Sequence, residues 1–220
     1  MCYVIVTGRS LAWLLLSVFA FTLILTGIMT PKWLLGQPVV LNMNNNTSFH
    51  VPSVGIYNRC LRTKNDVNNC ASFSFYGLAT ENSVYPKPWK AAMFFLSLCS
   101  AVQFSTVLAG VMSCCVQSVF KKSVISLAGA VQALGGLFGV FGLLLYPWGW
   151  GADRVKRLCG EYSEPYIPGD CSIGWAFFVT AAGVALVFLA SALSKTADKA
   201  ANSDKVQFRM DEGKQLICIA

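Results

Sequence analysis

The residues of this chain with the most evident chemistry are its nine cysteines, four of which form two local pairs. Cys60 pairs in sequence with Cys70, and Cys159 with Cys171. Zinc ligands usually lie about two to four residues apart, so unmodified thiols or a zinc site are weaker alternatives than disulfides. Each disulfide would close about ten residues, for which the chain-entropy model gives roughly 3 kcal/mol. The spacing therefore favours two disulfides formed in an oxidising compartment.

Acid–base and metal chemistry have few candidate residues. His50 is the one histidine in the sequence, and a single histidine in a polar loop is typical of a surface residue. No metal-binding motif, nucleophile elbow or phosphate loop is present. The sequence therefore predicts a protein that is not an enzyme, with no catalytic residue, no metal or cofactor site and no small-molecule substrate.

Covalent modification is a third kind of chemistry that the residues allow. Asn45 and Asn46 begin two overlapping Asn-x-Ser/Thr sequons, which predicts a glycoprotein. Four other cysteines stand near the chain termini or at the end of an apolar run, where S-acylation occurs. They are Cys2, Cys114, Cys115 and Cys218. Unmodified thiols are the alternative for these four.

The composition identifies the elements that must position these residues. Of 220 residues, 55% are hydrophobic and 12% are charged, against about 25% charged in an ordinary soluble domain. Four runs lack Asp, Glu, Lys, Arg and His, and each is close to the ~20 residues of a membrane-spanning helix. They are 11–29, 91–116, 124–146 and 173–193. Because lipid cannot hydrogen-bond an open backbone, we expect four transmembrane helices.

The two longer loops, 30–90 and 147–172, contain both cysteine pairs and both sequons. Since disulfides persist on the oxidising side of a membrane, we expect these loops outside the cell or in the lumen. Lysines and arginines are divided almost evenly between the two sides and do not decide the orientation. The sequence predicts one membrane domain over 1–193, a cytosolic tail over 194–220, and both termini in the cytosol. The expected location is the plasma membrane or a secretory-pathway membrane.

Small and amide side chains stand out inside the apolar runs. Gly135, Gly139 and Gly142 recur at about one-turn spacing, which predicts close packing within the bundle or against another protein's helix. Gln103 and Gln132 are the only amides in the four runs, and we expect them to hydrogen-bond to each other. With no ionisable group in the runs, the sequence predicts no ion or proton pathway.

Residues beside the runs predict where the helices end. Trp148, Trp150 and Trp175 flank two runs and are expected to anchor at the membrane interface. The prolines nearest the runs, which are Pro31, Pro88 and Pro147, are expected just outside the helix ends. The net charge of +7 comes from residues scattered over several loops, which does not favour nucleic-acid binding.

The first long loop has a recognisable motif. Trp33 follows the first run, Gly55, Ile56 and Tyr57 come two residues before Cys60, and Cys70 follows. This resembles the first outer loop of the claudin and peripheral-myelin-protein superfamily, which carries Trp, then Gly-Leu-Trp, two residues, Cys and a second Cys. Here Tyr57 replaces the second tryptophan, and a disulfide in the second loop is not a claudin feature.

Other stretches are more similar to the lipoma HMGIC fusion partner-like (LHFPL) tetraspan family. They are 1–7 (MCYVIVT), 145–151 (LYPWGWG), 168–177 (PGDCSIGWAF) and 203–207 (SDKVQ). The resemblance implies an all-α transmembrane protein: a four-helix claudin-like bundle with a small extracellular antiparallel sheet from the first loop, joined by a strand of the second. It also implies that Trp33 packs the loop against the helix ends. Partial alternation places strands at 51–57 and 71–76.

The resemblance implies a non-catalytic accessory or interaction subunit, because members of that family assist channels and receptors. Such a subunit would support assembly, trafficking or gating of a larger membrane protein. Its partners would be membrane lipid and a channel or receptor, or further copies of the same chain. The alternative function is claudin-like cell–cell adhesion or barrier formation.

Overall fold

The computed structural model describes residues 4–43, 46–63, 66–72, 85–113, 118–119, 122–212 and 216–219. Within those residues, four helices are long and apolar enough to cross a membrane. In chain order the helices are α1 (Gly8–Met29), α2 (Lys87–Met112), α3 (Val124–Trp148), the short α4 (Asp153–Cys159), α5 (Trp175–Ala201) and the short α6 (Asp204–Asp211). The four long helices α1, α2, α3 and α5 contain most of the four predicted runs.

The predicted bounds of the fourth run were wrong at both ends. Ser172 and Ile173 form a strand, so α5 begins at Trp175. The helix then continues to Ala201, well beyond the predicted end at 193. Ser194, Ala197 and Ala201 are buried, and their spacing continues one packed face of the helix after the purely apolar run has ended. In the second run, α2 begins earlier than predicted, at Lys87, and ends at Met112, while residues 114–116 lie outside the described residues.

Two of the three prolines lie inside helices, contrary to the prediction. Pro88 is the second residue of α2, where the backbone N–H has no intrahelical acceptor and proline is tolerated. Pro147 lies in the last turn of α3, and a 3₁₀ turn (Gly149–Gly151) follows directly. The carbonyl of Pro147 accepts a hydrogen bond from the amide of Tyr166 at 3.0 Å.

The extended segments form several small sheets. In chain order they are β1 (Val4–Thr7), β2 (Leu34–Leu35), β3 (Val39–Met43), β4 (Asn46–His50), β5 (Ser53–Val54), β6 (Asn58–Thr63), β7 (Asp66–Ser72), β8 (Ser118–Val119), β9 (Lys122–Ser123), β10 (Ser172–Ile173) and β11 (Leu216–Ile219). The largest sheet has the order β10-β2-β5-β6-β7, and its neighbours are antiparallel. The predicted sheet from the first loop, joined by a strand of the second, is therefore confirmed.

The sequence predicted that strands occur in the first loop, but it placed their ends less accurately. The stretch predicted at 51–57 is extended only at Ser53–Val54, because the chain then turns and the amide of Gly55 donates to the carbonyl of Asn58 at 2.8 Å. The strand predicted at 71–76 overlaps the end of β7 (Asp66–Ser72), which begins earlier, and residues 73–76 lie outside the described residues. The polar segment before Val51 forms a separate β3–β4 hairpin, in which Val39 pairs with His50.

The chain divides into two compact units. The terminal unit comprises Met1–Leu23, Leu98–Phe138 and Ala182–Ala220, and the sheet unit comprises Ile24–Ser97 and Gly139–Ala181. Each of the four long helices contributes a segment to both units. Within the terminal unit, Trp13 packs in a core made otherwise of Ile125 and small side chains, namely Ala128, Ala190, Ala197 and Ala201. Such small residues let helix backbones approach closely.

Candidate functional site

The sheet unit is organised around a cluster of buried aromatic side chains, with Trp33 at its centre. Trp33 is fully buried, and its indole N–H donates to the carbonyl of Gly27, near the end of α1, at 2.7 Å. The centroid of its ring lies 4.9 Å from that of Tyr146 in α3 and 5.6 Å from that of Phe177 in α5, and both contacts are edge-on. One side chain thus holds the ends of three long helices together.

Tyr146 and Trp89 extend this cluster towards the sheet. Their rings are stacked, with centroids 5.1 Å apart, and the Trp89 indole N–H donates to the Tyr146 carbonyl at 3.0 Å. The Tyr146 hydroxyl donates to the carbonyl of Val54 in β5 at 3.3 Å. A Cβ atom at Gly149 would lie 2.4 Å from Cδ1 of Trp89, so the close packing of Trp89 requires glycine there.

The residues Gly55, Ile56 and Tyr57 fasten the sheet to the helices. A Cβ atom at Gly55 would lie 2.6 Å from the carbonyl oxygen of Thr30, so only glycine permits this approach of the two backbones. Ile56 is fully buried and its carbonyl accepts a hydrogen bond from the Tyr85 hydroxyl at 2.7 Å. Burial, and secondarily the neighbouring Tyr57, raise the pKa of Tyr85 far above its usual range, so this donor stays protonated.

Tyr57 itself makes a contact that a tryptophan at this position would not make. Its hydroxyl hydrogen-bonds to Oγ of Ser97 in α2. The side chain of the next residue, Asn58, donates to the carbonyl of Met29 at the end of α1, at 2.8 Å. The motif that resembles the claudin pattern thus binds the first loop to α1 and α2 through polar contacts as well as through packing.

Both cysteine pairs are disulfides in the structure. Cys60 and Cys70 face each other across β6 and β7. Cys159 ends α4 and joins Cys171, immediately before β10, with the two Cα atoms 5.0 Å apart. Gly169 has a positive φ of 62°, and a Cβ there would lie 2.5 Å from the carbonyl oxygen of Cys159. The second disulfide therefore closes a segment whose backbone makes a tight approach at Gly169.

The three tryptophans predicted as interface anchors do not share one environment. Trp148 and Trp175 are 55% and 47% exposed, whereas Trp150 is only 2% exposed and packs against Tyr146 at 6.3 Å. The prediction for Trp150 was wrong, because residues two apart on a helical turn point to nearly opposite sides. The indole nitrogen of Trp150 is buried and has no hydrogen-bond partner among the described residues.

The terminal unit contains a buried hydrogen-bond network centred on Gln132. Its side-chain Oε1 accepts a hydrogen bond from the Trp13 indole at 3.2 Å, and its Nε2 donates to Ser17 Oγ at 3.0 Å and to Gln103 Oε1 at 3.3 Å. The bond between the two glutamines was predicted, but the contributions of Trp13 and Ser17 were not. The available signal was that these two residues are four positions apart in α1, which places them on one helix face.

The glycines of α3 contact side chains of this same chain. In the terminal unit, a Cβ at Gly135 would lie 2.7 Å from Cγ1 of Val102. In the sheet unit, a Cβ at Gly142 would lie 2.5 Å from Cγ of Leu96. Gly139 is buried as well. Close packing at these glycines therefore occurs inside the chain.

The predicted modification sites lie mostly outside the described residues, which is the case for Asn45, Cys2, Cys114 and Cys115. Asn46 begins β4 opposite Met43, and Cys218 lies in β11 opposite Val6. In the described part of the chain, no group of three or more His, Cys, Asp or Glu side chains is placed to hold a metal ion.

Four membrane-length apolar helices and an antiparallel sheet built from both long loops define a tetraspan membrane protein. The family model described as "Lipoma HMGIC fusion partner-like protein" matches residues 9–196, so the chain belongs to the LHFPL family. It is 37% identical over 229 aligned positions to the LHFPL tetraspan subfamily member 2 protein of Homo sapiens, and 36% over 228 to member 2a of Danio rerio, with all of each chain covered. It is also 31% identical over 152 positions to member 3 of Danio rerio, covering 66% of each chain. The resemblance found in the sequence is thereby confirmed.

Proposed function

We propose that this tetraspan membrane protein is a non-catalytic accessory subunit that binds a larger membrane protein and assists its assembly, trafficking or gating. The observation that carries the proposal is the rigid attachment of the sheet to the helix ends. Trp33, Tyr57 and Tyr85 each hydrogen-bond the first loop to a helix or to itself, and two disulfides close the loops. A surface held in this way binds a partner with little loss of conformational entropy.

The sheet unit also presents apolar side chains to its surroundings outside the long helices. Between α4 and β10, Tyr162 is 86% exposed and Ile167 is 53% exposed. Tyrosine is one of the residue types that often carry most of the binding energy of a protein interface. We place the partner contact of the sheet unit on these residues.

The helices themselves offer a second, apolar surface. Phe94, Phe104, Phe141 and Phe178 are all more than half exposed, and each lies on a helix of membrane length. Such side chains contact lipid tails or the spans of a partner, since apolar surface is stable in either environment. This surface supports a role within the membrane rather than at a soluble interface.

Affinity purification in a mild detergent, followed by crosslinking mass spectrometry, tests the proposal. We expect a larger membrane protein to be recovered with the wild-type chain and to crosslink within residues 160–170. The double variant Tyr162→Ala/Ile167→Ala should reduce that recovery about fivefold or more. A matched control is Phe208→Ala, which removes a side chain 63% exposed in the terminal unit. Recovery of this chain alone, or polymers at contacts between expressing cells, would favour the adhesion function instead.

We also propose that the sheet unit faces the lumen or the cell exterior, and that both termini are cytosolic. The disulfides of the sheet unit and the sequons at Asn45 and Asn46 support this orientation. Glycosidase treatment should shift the electrophoretic mobility of the wild-type chain but not that of the variant Asn45→Gln/Asn46→Gln. An antibody to a carboxy-terminal tag should require permeabilised cells. Staining of intact cells through that tag would reverse the orientation.

A further inference from the structure

A cavity of about 250 Å³ opens within the sheet unit beside the start of α2. This volume far exceeds the roughly 10–15 Å³ that one water molecule requires. Its walls are apolar on one part and cationic on another: they are formed by Val54, Trp89, Val155, Leu158, Arg154 and Arg157. Such a combination suits a ligand that is itself part apolar and part anionic.

Positive charge is concentrated on one side of the cavity. Arg154 and Arg157 are three residues apart on α4, so their side chains rise from the same helix face. Burial, followed by the charges of Arg59 in β6 and of Arg157, lowers the pKa of Arg154. Arg154 and Arg157 both line the cavity, and an anion bound there is attracted by both charges. Guanidinium groups bind phosphate oxygens through paired hydrogen bonds.

The place of the cavity along the helices indicates where such an anion comes from. Trp89 is the third residue of α2, a helix of membrane length, so this wall of the cavity lies at the helix end. Helix ends coincide with the headgroup region of a bilayer. Leu158 is partly exposed and lines the cavity with the two arginines, so it provides an apolar contact that a free ion would not use.

We propose that this cavity binds the phosphate group of a membrane phospholipid. Arg154 and Arg157 donate hydrogen bonds to the phosphate oxygens, while the partly exposed Leu158 contacts the glycerol and the first acyl carbons. The protein would then carry one lipid as a specific ligand, in addition to the lipid that surrounds its helices. The proposal does not depend on the identity of any protein partner.

Native mass spectrometry of the purified full chain in a neutral detergent tests this proposal. The probe is dioctanoyl phosphatidylglycerol, titrated against dioctanoylglycerol, which has the same chains without the phosphate, and against inorganic phosphate. We expect one phosphatidylglycerol to be retained at concentrations at which dioctanoylglycerol and inorganic phosphate are not. Equal retention of dioctanoylglycerol would show that the guanidinium groups are not used. Equal retention of inorganic phosphate would show that a free ion, rather than a lipid, is the ligand.

Substitution of the arginines gives the second arm. Arg157 is exposed, so Arg157→Gln should fold normally and weaken phosphatidylglycerol binding about tenfold. Arg157→Lys should recover part of the loss, and Arg154→Gln/Arg157→Gln should remove specific retention. The control Lys199→Gln/Arg209→Gln removes two charges from the terminal unit and should bind as the wild type does. Unchanged binding in Arg157→Gln, with both disulfides intact by mass, would overturn the proposal.

Discussion

The two units of this protein use their buried polar groups in different ways. In the terminal unit, one buried network joins side chains of different helices to one another, as Trp13, Ser17 and Gln103 do around Gln132. In the sheet unit, the buried aromatic donors bond to backbone carbonyls, as Trp33 does to Gly27 and Trp89 to Tyr146. The first arrangement links side chains on different helices, whereas the second links side chains to carbonyls near the ends of helices, where intrahelical hydrogen bonding stops. The sheet unit should therefore be the more sensitive to a single substitution.

The strongest test of this difference is Trp33→Ala. Removing a buried tryptophan leaves a large cavity and removes its hydrogen bond to the Gly27 carbonyl, so we expect a loss of about 3–5 kcal/mol of unfolding free energy. The loss appears as a lower melting temperature, which is measured by thermal unfolding in detergent with size-exclusion chromatography as the readout. The control Trp148→Ala removes an exposed ring and should change the melting temperature little. Equal melting temperatures for the two variants would contradict the central role of Trp33.

Removal of the disulfides separates the contribution of covalent closure from that of packing. Cys159→Ser/Cys171→Ser should destabilise the protein by about 3 kcal/mol, since both sulfurs are in buried residues. Cys60→Ser/Cys70→Ser should have a smaller effect, because Cys70 is exposed and the strands are paired independently. The melting temperatures of the two double variants, measured without reducing agent, show which disulfide contributes more to stability. The reverse order would show that the sheet depends more on its own disulfide than on its hydrogen bonds.

Two glycine substitutions compare the units directly. In Gly55→Ala the new methyl group meets the backbone carbonyl of Thr30, which cannot move easily, and we expect a loss of about 2 kcal/mol. In Gly135→Ala the methyl group meets the side chain of Val102, which can rotate, and about 1 kcal/mol is expected. Denaturation monitored by tryptophan fluorescence measures both. A larger effect at Gly135 would place the tighter packing in the terminal unit.

The smallest effect is expected for Gln132→Leu. It removes the shared partner of Trp13, Ser17 and Gln103, but polar contacts between membrane helices average only about 0.6 kcal/mol each. We therefore expect a loss of about 1 kcal/mol in unfolding free energy and normal formation of both disulfides. A loss as large as that of Trp33→Ala would contradict the difference between the units.

The helices could be predicted from the sequence because a helix that crosses a lipid bilayer requires an uncharged apolar run of sufficient length. Val124 marks the start of α3 in both the predicted run and the structure. The sheet was harder to predict, because β5 is only two residues long and its bounds depend on the turn at Gly55 rather than on alternation. The burial of Trp150 depends on the 3₁₀ turn after α3, which composition does not reveal.

The cavity beside the start of α2 could not be predicted from the sequence, for a different reason. Its walls come from β5, α2 and α4, which are far apart in the sequence and meet only after folding. Arg154 and Arg157 were read in the sequence as scattered loop charges. The single signal available was their spacing of three residues, which matters only if that segment is helical.

The parallel pairing of β1 with β11, in which Val4 lies opposite Leu216 and Val6 opposite Cys218, has a practical consequence for labelling. Fluorescent proteins fused to the two ends of the chain should show efficient energy transfer within one molecule. A bulky fusion at either end would compete for the same space. Trimming the last residues should also release the first ones, which a protease directed at the amino terminus would detect.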